Sequence, residues 1–165
     1  MVYKLSKTLL IIYYSKTGKT ESMASQVARG AAKVGINVIL KKVEDCTLDD
    51  LVEADGLAVG SPTHYSNMAW QIKRLLDETI LTFYTKGYSL RDKVCGLFTS
   101  TGAYADGKEC LRMLELAFGL ALKMKTSPGL IVESEDVVDE KDLLACYEYG
   151  QKIAYEIEKL NLRSA

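Results

Sequence analysis

The sequence predicts an α/β fold in which a doubly wound, five-stranded parallel sheet carries helices on both faces. Apolar strand-like runs alternate with amphipathic helix-like segments five times along the 165 residues. Three of these runs are almost wholly apolar, which is typical of strands buried on both faces. Each of the three ends in a loop rich in Ser, Thr, Gly and aromatic residues, and right-handed crossovers place these loops at one edge of the sheet.

The first half of the chain alternates between strand and helix patterns. Its predicted elements are a buried strand over 9–14, a helix over 20–34, an edge strand over 36–43, a short helix or turn over 48–54 and a second buried strand over 56–60. Gly35 is placed to end the first helix. Lys41 and Lys42 discourage further pairing at the sheet edge.

The second half repeats the pattern. Its predicted elements are a helix over about 68–80, a polar stretch over 82–92, a third buried strand over 94–98, a helix over about 107–121, a last strand over 129–132 and a final helix opened by Asp139. Asn67 is a candidate N-cap for the first of these helices. Asp106 and Glu109 have the spacing of a capping box for the second. We expect one domain over residues 1–165.

The turn after the first strand has the composition of a phosphate cradle. Its residues are Ser15, Lys16, Thr17, Gly18, Lys19 and Thr20. The following helix directs its unpaired N–H groups and positive dipole end at this turn, and three hydroxyls add donors. A Walker A loop is excluded because Tyr13 stands where its first Gly is needed, and no G-x-G-x-x-G pattern occurs in this turn. The alternative is an ordinary Ser/Thr-rich strand-to-helix turn.

Composition restricts the other functions. The formal net charge of -1 gives no indication of nucleic-acid binding, and no apolar run is long enough for membrane insertion, so we expect a cytoplasmic protein. The four cysteines are Cys46, Cys95, Cys110 and Cys146. They are widely spaced and His64 is the only histidine, which predicts no metal site and favours free thiols that act as small hydrophobes.

The sequence resembles the flavodoxin-like FMN-binding family over essentially the whole chain, and the three strand-end loops carry the resemblance. Residues 60–68 and 100–102 are most similar to one branch, the flavodoxin-like NAD(P)H:quinone oxidoreductases, first named tryptophan-repressor-binding proteins. The resemblance implies the strand order 2-1-3-4-5 and FMN as cofactor. It implies that residues 15–20 hold the phosphate and that two further loops flank the flavin ring. These loops comprise Pro62, Thr63, His64, Tyr65, Ser66 and Asn67, and Thr99, Ser100, Thr101, Gly102, Ala103 and Tyr104.

Single positions keep two interpretations. Tyr104 stacks on the flavin or is an exposed loop aromatic, and His64 donates a proton near the ring or is a solvated loop histidine. Trp70 is expected to pack against neighbouring structure or to line the ring edge. Lys16 and Lys19 assist the phosphate or are solvated. Ser66 departs from the quinone-reductase branch, which usually has Gly there.

Three functions remain open from the sequence. The sequence of the loops favours an oxidoreductase that passes electrons from NAD(P)H to a quinone-like acceptor, and this is the function predicted first. A homo-oligomer is expected for it, because neighbouring subunits help to form the site in the branch that the chain resembles. The compact length, and the absence of that branch's added segment and later histidine, favour an electron carrier between redox proteins. Such carriers are usually strongly acidic, which this chain is not. A non-redox binding module that has kept the fold is the third alternative.

Overall fold

A mainly parallel sheet forms the centre of the protein, as the computed structural model of residues 6–162 shows. Its strands are β1 Thr8–Tyr13, β2 Asn37–Lys42, β3 Gly56–His64, β4 Asn67–Met68, β5 Val94–Thr101, β6 Lys125–Thr126 and β7 Leu130–Glu133. The order is β2-β1-β3-β5, followed by β6 and β7, which both pair with β5. This confirms the predicted order 2-1-3-4-5, with the fifth strand divided in two.

Helices cover both faces of the sheet, which confirms the doubly wound fold. They are α1 Lys19–Val34, α2 Leu48–Glu53, α3 Trp70–Arg74, α4 Leu81–Thr85, α5 Tyr104–Leu114 and α6 Glu140–Leu162. A π-helical segment, Leu75–Ile80, joins α3 to α4, and another, Glu115–Ala121, extends α5. One apolar cluster packs α1 and α6 on one face, and a second packs the other helices on the opposite face. No helix within 6–162 combines the length and apolar character that crossing a bilayer requires.

Several predicted boundaries are confirmed. Gly35 ends α1 with φ 105°, and β2 lies at the sheet edge. Thr47 and Asp50 form a capping box at the start of α2. Asp139 accepts a hydrogen bond from the Asp142 N–H at the start of α6. The predicted domain also includes residues 1–5 and 163–165, which lie outside the described residues.

Two predicted helix caps are wrong. Asn67 does not cap α3, because it pairs with His64 in a tight antiparallel hairpin and its side chain accepts from the Met68 N–H. Helix α3 begins later, after Ala69. Asp106 does not open a capping box either, because α5 begins at Tyr104 and Asp106 lies within its first turn.

The predicted polar stretch over 82–92 is partly helical and partly buried. Helix α4 reaches Thr85, and its Phe83 side chain is buried. Leu90 is also buried, and its N–H donates to the hydroxyl of Tyr84 at 3.1 Å. Two isolated apolar residues therefore anchor a segment whose overall composition is polar.

Strands β3 and β5 continue beyond their predicted ends into Ser/Thr-rich sequence. The Thr63 and Thr99 hydroxyls lie 2.9 Å apart and hydrogen-bond each other across the two strands. Because these hydroxyls hydrogen-bond each other, polar residues can extend the two strands without leaving buried hydroxyls unpaired. Much of the loop sequence that was predicted to flank a ligand is therefore rigid strand.

Tyr149 fills the gap in the divided fifth strand. Strand β6 pairs with β5 only at Val94 and Cys95, and β7 begins pairing at Phe98. The Tyr149 hydroxyl accepts from the Leu97 N–H at 2.9 Å and donates to the Leu97 carbonyl at 3.1 Å. Burial raises the pKa of Tyr149, so the hydroxyl keeps the proton that it donates.

Tyr149→Phe is expected to lower the free energy of unfolding by about 2 kcal/mol, because two buried backbone groups of Leu97 would lose their partner. Urea denaturation measures this change. Tyr155→Phe is the control, because Tyr155 lies on the same helix with an exposed side chain. Equal stability losses for the two variants would contradict this role of the Tyr149 hydroxyl.

Candidate functional site

The turn between β1 and α1 has the geometry of an anion cradle. Gly18 precedes the helix with φ 97°, a left-handed conformation that favours glycine. Its N–H donates to the Ser15 hydroxyl at 3.1 Å, which leaves the Ser15 proton available to a ligand. The first N–H groups of α1 have no acceptors within the helix. Several donors therefore converge at one end of the cleft.

Two residues of the predicted cradle also contact other parts of the protein. The Lys19 ammonium donates to the carbonyls of Ser134 and Glu135 at 2.8 and 2.9 Å. The Thr20 hydroxyl is buried and lies 2.8 Å from that of Ser100. Lys19 therefore holds the turn against the segment after β7, and Thr20 holds it against β5.

Residues Pro62, Thr63, His64, Tyr65, Ser66 and Asn67 form a β-hairpin rather than an open loop. Its two-residue turn, Tyr65–Ser66, has φ values of 51° and 61°. Positive φ at both positions is the signature of a type I′ turn, which normally requires Gly, Asn or Asp. The Ser61 hydroxyl accepts from the Ala69 N–H at 2.9 Å and ties the hairpin to the start of α3.

The third predicted segment is partly strand and partly helix. The Thr99, Ser100 and Thr101 side chains are buried. The Thr101 hydroxyl accepts from the Ala103 N–H and donates to the Ala103 carbonyl. Only Gly102 and Ala103 separate β5 from α5, and the first N–H groups of α5 lie at the carboxyl edge without partners inside the helix.

Aromatic side chains surround this edge of the sheet. Tyr65, Trp70 and Tyr104 are exposed by 103%, 64% and 55%. The expectation that Trp70 packs against neighbouring structure is therefore wrong, because it begins α3 with most of its ring in solvent. The His64 ring is half-buried and meets that of Tyr14 edge-on, with 6.3 Å between centroids.

A cleft of about 180 Å³ brings the three predicted segments together. It is lined by Ser15, Lys16, Thr17, Lys19, Thr20, Pro62, Thr63, His64, Ser100, Thr101 and Gly102. The other predicted site residues lie outside this lining: Gly18, Tyr65, Ser66, Asn67, Thr99, Ala103 and Tyr104. The roles of all these residues toward a ligand stay predictions.

Behind the cleft lies a buried thiol. The Thr99 hydroxyl donates to Cys110 Sγ at 3.4 Å. Burial raises the pKa of the Cys110 thiol, which therefore stays protonated and is no nucleophile at neutral pH. The four cysteines are free, and residues 6–162 contain no cluster of ligand side chains suited to a metal ion.

Sequence reasoning missed the segment after β7 and the role of Asp106. The carbonyls of Ser134 and Glu135 accept hydrogen bonds from the Lys19 ammonium, and Asp106 accepts one from the Ser66 hydroxyl. The carboxyl end of the fifth strand lies on the same edge as the other three loops, so the polar residues after it were a usable signal. Asp106 carried no comparable signal.

The fold and site define a class of protein: an open, mainly parallel α/β sheet with a hydroxyl-lined cleft at the carboxyl ends of its strands. A flavodoxin family model matches residues 11–148. A flavodoxin from Aquifex aeolicus (strain VF5) is 33% identical over 160 residues, covering 88% of this chain and 84% of that protein. The chain belongs to the flavodoxin family.

Two further comparisons agree with this assignment. A protein named NAD(P)H dehydrogenase (quinone) 3 from Rhizobium meliloti (strain 1021) is 34% identical over 121 residues, covering 61% of this chain and 56% of that protein. The chain thus spans little more than half the length of that relative. A solved flavodoxin structure from the domain Archaea matches with a TM-score of 0.78 at 25% identity, covering 92% of this chain and 99% of that one.

FMN is the cofactor of this family, and the donors of this chain fit it. Residues 15–20 offer backbone N–H and hydroxyl donors for one phosphate at a helix N-terminus. The hairpin and the start of α5 are predicted to flank the flavin ring, and the space predicted for it is called the ring slot, with Tyr104 as a candidate for stacking. When bound, FMN supplies reversible electron transfer, and the protein sets its affinity, orientation and potential.

Tyr104→Ala is expected to weaken FMN binding and to raise the midpoint potential. A stacked aromatic ring destabilises the electron-rich reduced flavin relative to the oxidised form, so its removal favours reduction. Fluorescence titration and a redox titration measure the two effects. Tyr104→Phe keeps the ring and should remain close to the parent protein. Unchanged affinity and potential in Tyr104→Ala would identify Tyr104 as an exposed loop aromatic.

Proposed function

We propose that this FMN protein is an electron carrier that exchanges electrons with other redox proteins at the ring side of its site. The supporting observation is the exposure of Tyr65, Trp70 and Tyr104 around one edge of the sheet. Aromatic side chains contribute strongly to protein–protein contacts, and three exposed ones beside a cofactor slot suit a docking surface.

The short connections at this edge support the same proposal. The hairpin turn has two residues and the link from β5 to α5 also has two, Gly102 and Ala103. Both links are short, which favours direct access by a partner protein. The near-neutral charge is unlike that of the usual acidic carriers, so docking in this proposal rests on apolar contact, with association rates that depend weakly on salt.

An NAD(P)H:quinone oxidoreductase is the second candidate. It is favoured by the amino-acid sequence of the hairpin and by relatives that carry the name NAD(P)H dehydrogenase (quinone). A second cleft of about 350 Å³ is lined in part by Trp70 and by Tyr14, whose ring meets that of His64 edge-on, and it offers room for a small molecule. In this function His64 is the predicted proton donor.

Anaerobic stopped-flow mixing distinguishes the two candidates. FMN-loaded protein is mixed separately with NADH, with NADPH and with a reduced low-potential ferredoxin-type protein, and flavin bleaching is followed. The carrier proposal expects rapid reduction by the protein donor and slow or absent reduction by either nicotinamide. Rapid bleaching by NADH or NADPH, followed by reoxidation with a quinone, would favour the enzyme instead.

The dependence of activity on oligomeric state is a second way to distinguish the enzyme from the carrier. In the branch that this chain resembles, neighbouring subunits help to form the nicotinamide pocket. An enzyme of that kind should therefore lose turnover on dilution as subunits separate, as light scattering and activity at matched concentrations would show. A carrier should exchange electrons with its partner at rates that do not depend on its own association.

A further inference from the structure

One hydrogen bond joins the two segments that are predicted to flank the ring slot. The Ser66 hydroxyl on the hairpin turn donates to Asp106 Oδ1 at 2.7 Å. Asp106 lies in the first turn of α5, forty residues away along the chain. The bond therefore connects the tip of the hairpin directly to the helix that carries Tyr104.

The hairpin turn needs such support because its backbone conformation is unfavourable. Tyr65 and Ser66 both have positive φ, which costs free energy for residues other than Gly, Asn or Asp. The Tyr65 side chain is fully exposed and contributes no packing. Of the two turn residues, only Ser66 has a side-chain hydrogen bond among the described residues, and Asp106 is its partner.

We propose that Ser66 and Asp106 are a positioning pair that presets the slot for the FMN ring. Their hydrogen bond holds the turn at a fixed distance from the first turn of α5. They act through the turn peptides and the position of Tyr104, and need no contact with the ring themselves. Binding then requires less ordering of the turn, and affinity is higher for that reason.

Asp106 suits this role through its place in the helix. A carboxylate in the first turn of a helix is stabilised by the helix dipole, and a hydroxyl bond to such a carboxylate is charge-assisted. Its charge also lies in the first turn of α5, two residues after Tyr104. Any test must therefore separate the loss of the bond from the loss of the charge.

The main test measures dissociation constants for FMN and for riboflavin in three variants: Ser66→Ala, Asp106→Ala and the double variant. Each single substitution is expected to weaken both ligands about three- to tenfold, by the same factor for each ligand, because the phosphate is not involved. The double variant should bind no more weakly than the weaker single variant, because both changes remove one bond.

Two conservative variants serve as matched controls. Ser66→Asn tolerates positive φ and carries an N–H donor, so it should retain much of the parent affinity. Asp106→Asn removes the charge but keeps an oxygen acceptor, so its affinity should stay near that of the parent. Ser66→Ala alters no charge, and a shift of its midpoint potential would come from the geometry of the slot.

Three results would overturn the proposal. Ser66→Gly relieves the strain but removes the bond, so parent-like affinity in this variant would show that the bond does not position the slot. Additive losses in the double variant would show that the two residues act separately. A loss confined to FMN, with riboflavin unchanged, would move the effect to the phosphate. Thermal unfolding of the apoprotein checks that each variant is folded before titration.

Discussion

Gly30→Ala and Gly150→Ala are each expected to lower the free energy of unfolding by about 3–5 kcal/mol, or to prevent folding. A Cβ at Gly30 would lie 1.9 Å from the Tyr147 carbonyl oxygen. One at Gly150 would lie 2.0 Å from the Val27 carbonyl oxygen. Both contacts are with backbone atoms, which cannot rotate away as a flexible side chain can.

The two glycines let α1 and α6 pack backbone against backbone. A methyl group at either position would force the helices apart, and the apolar cluster that they share with the sheet would lose contacts. Met23, Val27, Ile153 and Ile157 are among its buried members. The cost therefore extends beyond one clash to the packing of a whole face.

Gly119→Ala is the matched control for these substitutions. Gly119 also lies in a helical segment, but its nearest neighbours are side-chain atoms of Thr126 at 3.2 Å. A small rotation of that side chain makes room, and Ala is the better helix former, so the change should stay within about 1 kcal/mol. Urea denaturation of the three variants measures the contrast. Similar stabilities for all three would contradict the close packing of α1 on α6.

The sequence indicated that Gly150 belongs to the apolar stripe of the last helix, but not why glycine stands there. The stripe follows from the helical period of its own segment. The close approach of Gly150 to Val27 depends on how two distant helices align, which no local pattern encodes. Tyr149 illustrates the same limit. The backbone groups of Leu97 can bind its hydroxyl only because the fifth strand is interrupted beside them.

The hairpin shows how local patterns led to a wrong boundary. Ser, Pro, Asn and His after a buried strand indicate a loop, and Asn67 before an apolar segment indicates an N-cap. The observed hairpin needs positive φ at Tyr65 and Ser66, which sequence preferences argue against. Contacts made elsewhere, including that of Ser66 with Asp106, override those preferences.

The phosphate turn could be recognised from sequence because all its parts are adjacent in the chain. An apolar strand, a hydroxyl-rich turn with Gly18 and an amphipathic helix together define it. The hydrogen-bond partner of each hydroxyl in the turn could not be predicted in the same way. The structure pairs the Thr20 hydroxyl with Ser100 on β5, whereas Thr17 is exposed and no hydrogen bond from its side chain exists among the described residues.

Riboflavin, which lacks the phosphate, is expected to bind on the order of a thousandfold more weakly than FMN. Two or three charge-assisted hydrogen bonds at a helix N-terminus together contribute roughly 4 kcal/mol, which corresponds to that ratio. Fluorescence quenching of each ligand by the apoprotein measures the two dissociation constants. Similar affinities for the two ligands would show that the turn over 15–20 does not bind the phosphate.

Thr17→Ala separates the phosphate contribution from that of the ring. It should weaken FMN by about 1–3 kcal/mol, the range for a charge-assisted hydrogen bond, and leave riboflavin unchanged. Thr17→Ser keeps the hydroxyl and should bind FMN nearly as tightly as the parent. Thr20→Ala is a less selective change, because it also removes the buried partner of Ser100 and therefore affects both ligands. Equal losses for FMN and riboflavin in Thr17→Ala would place Thr17 away from the phosphate.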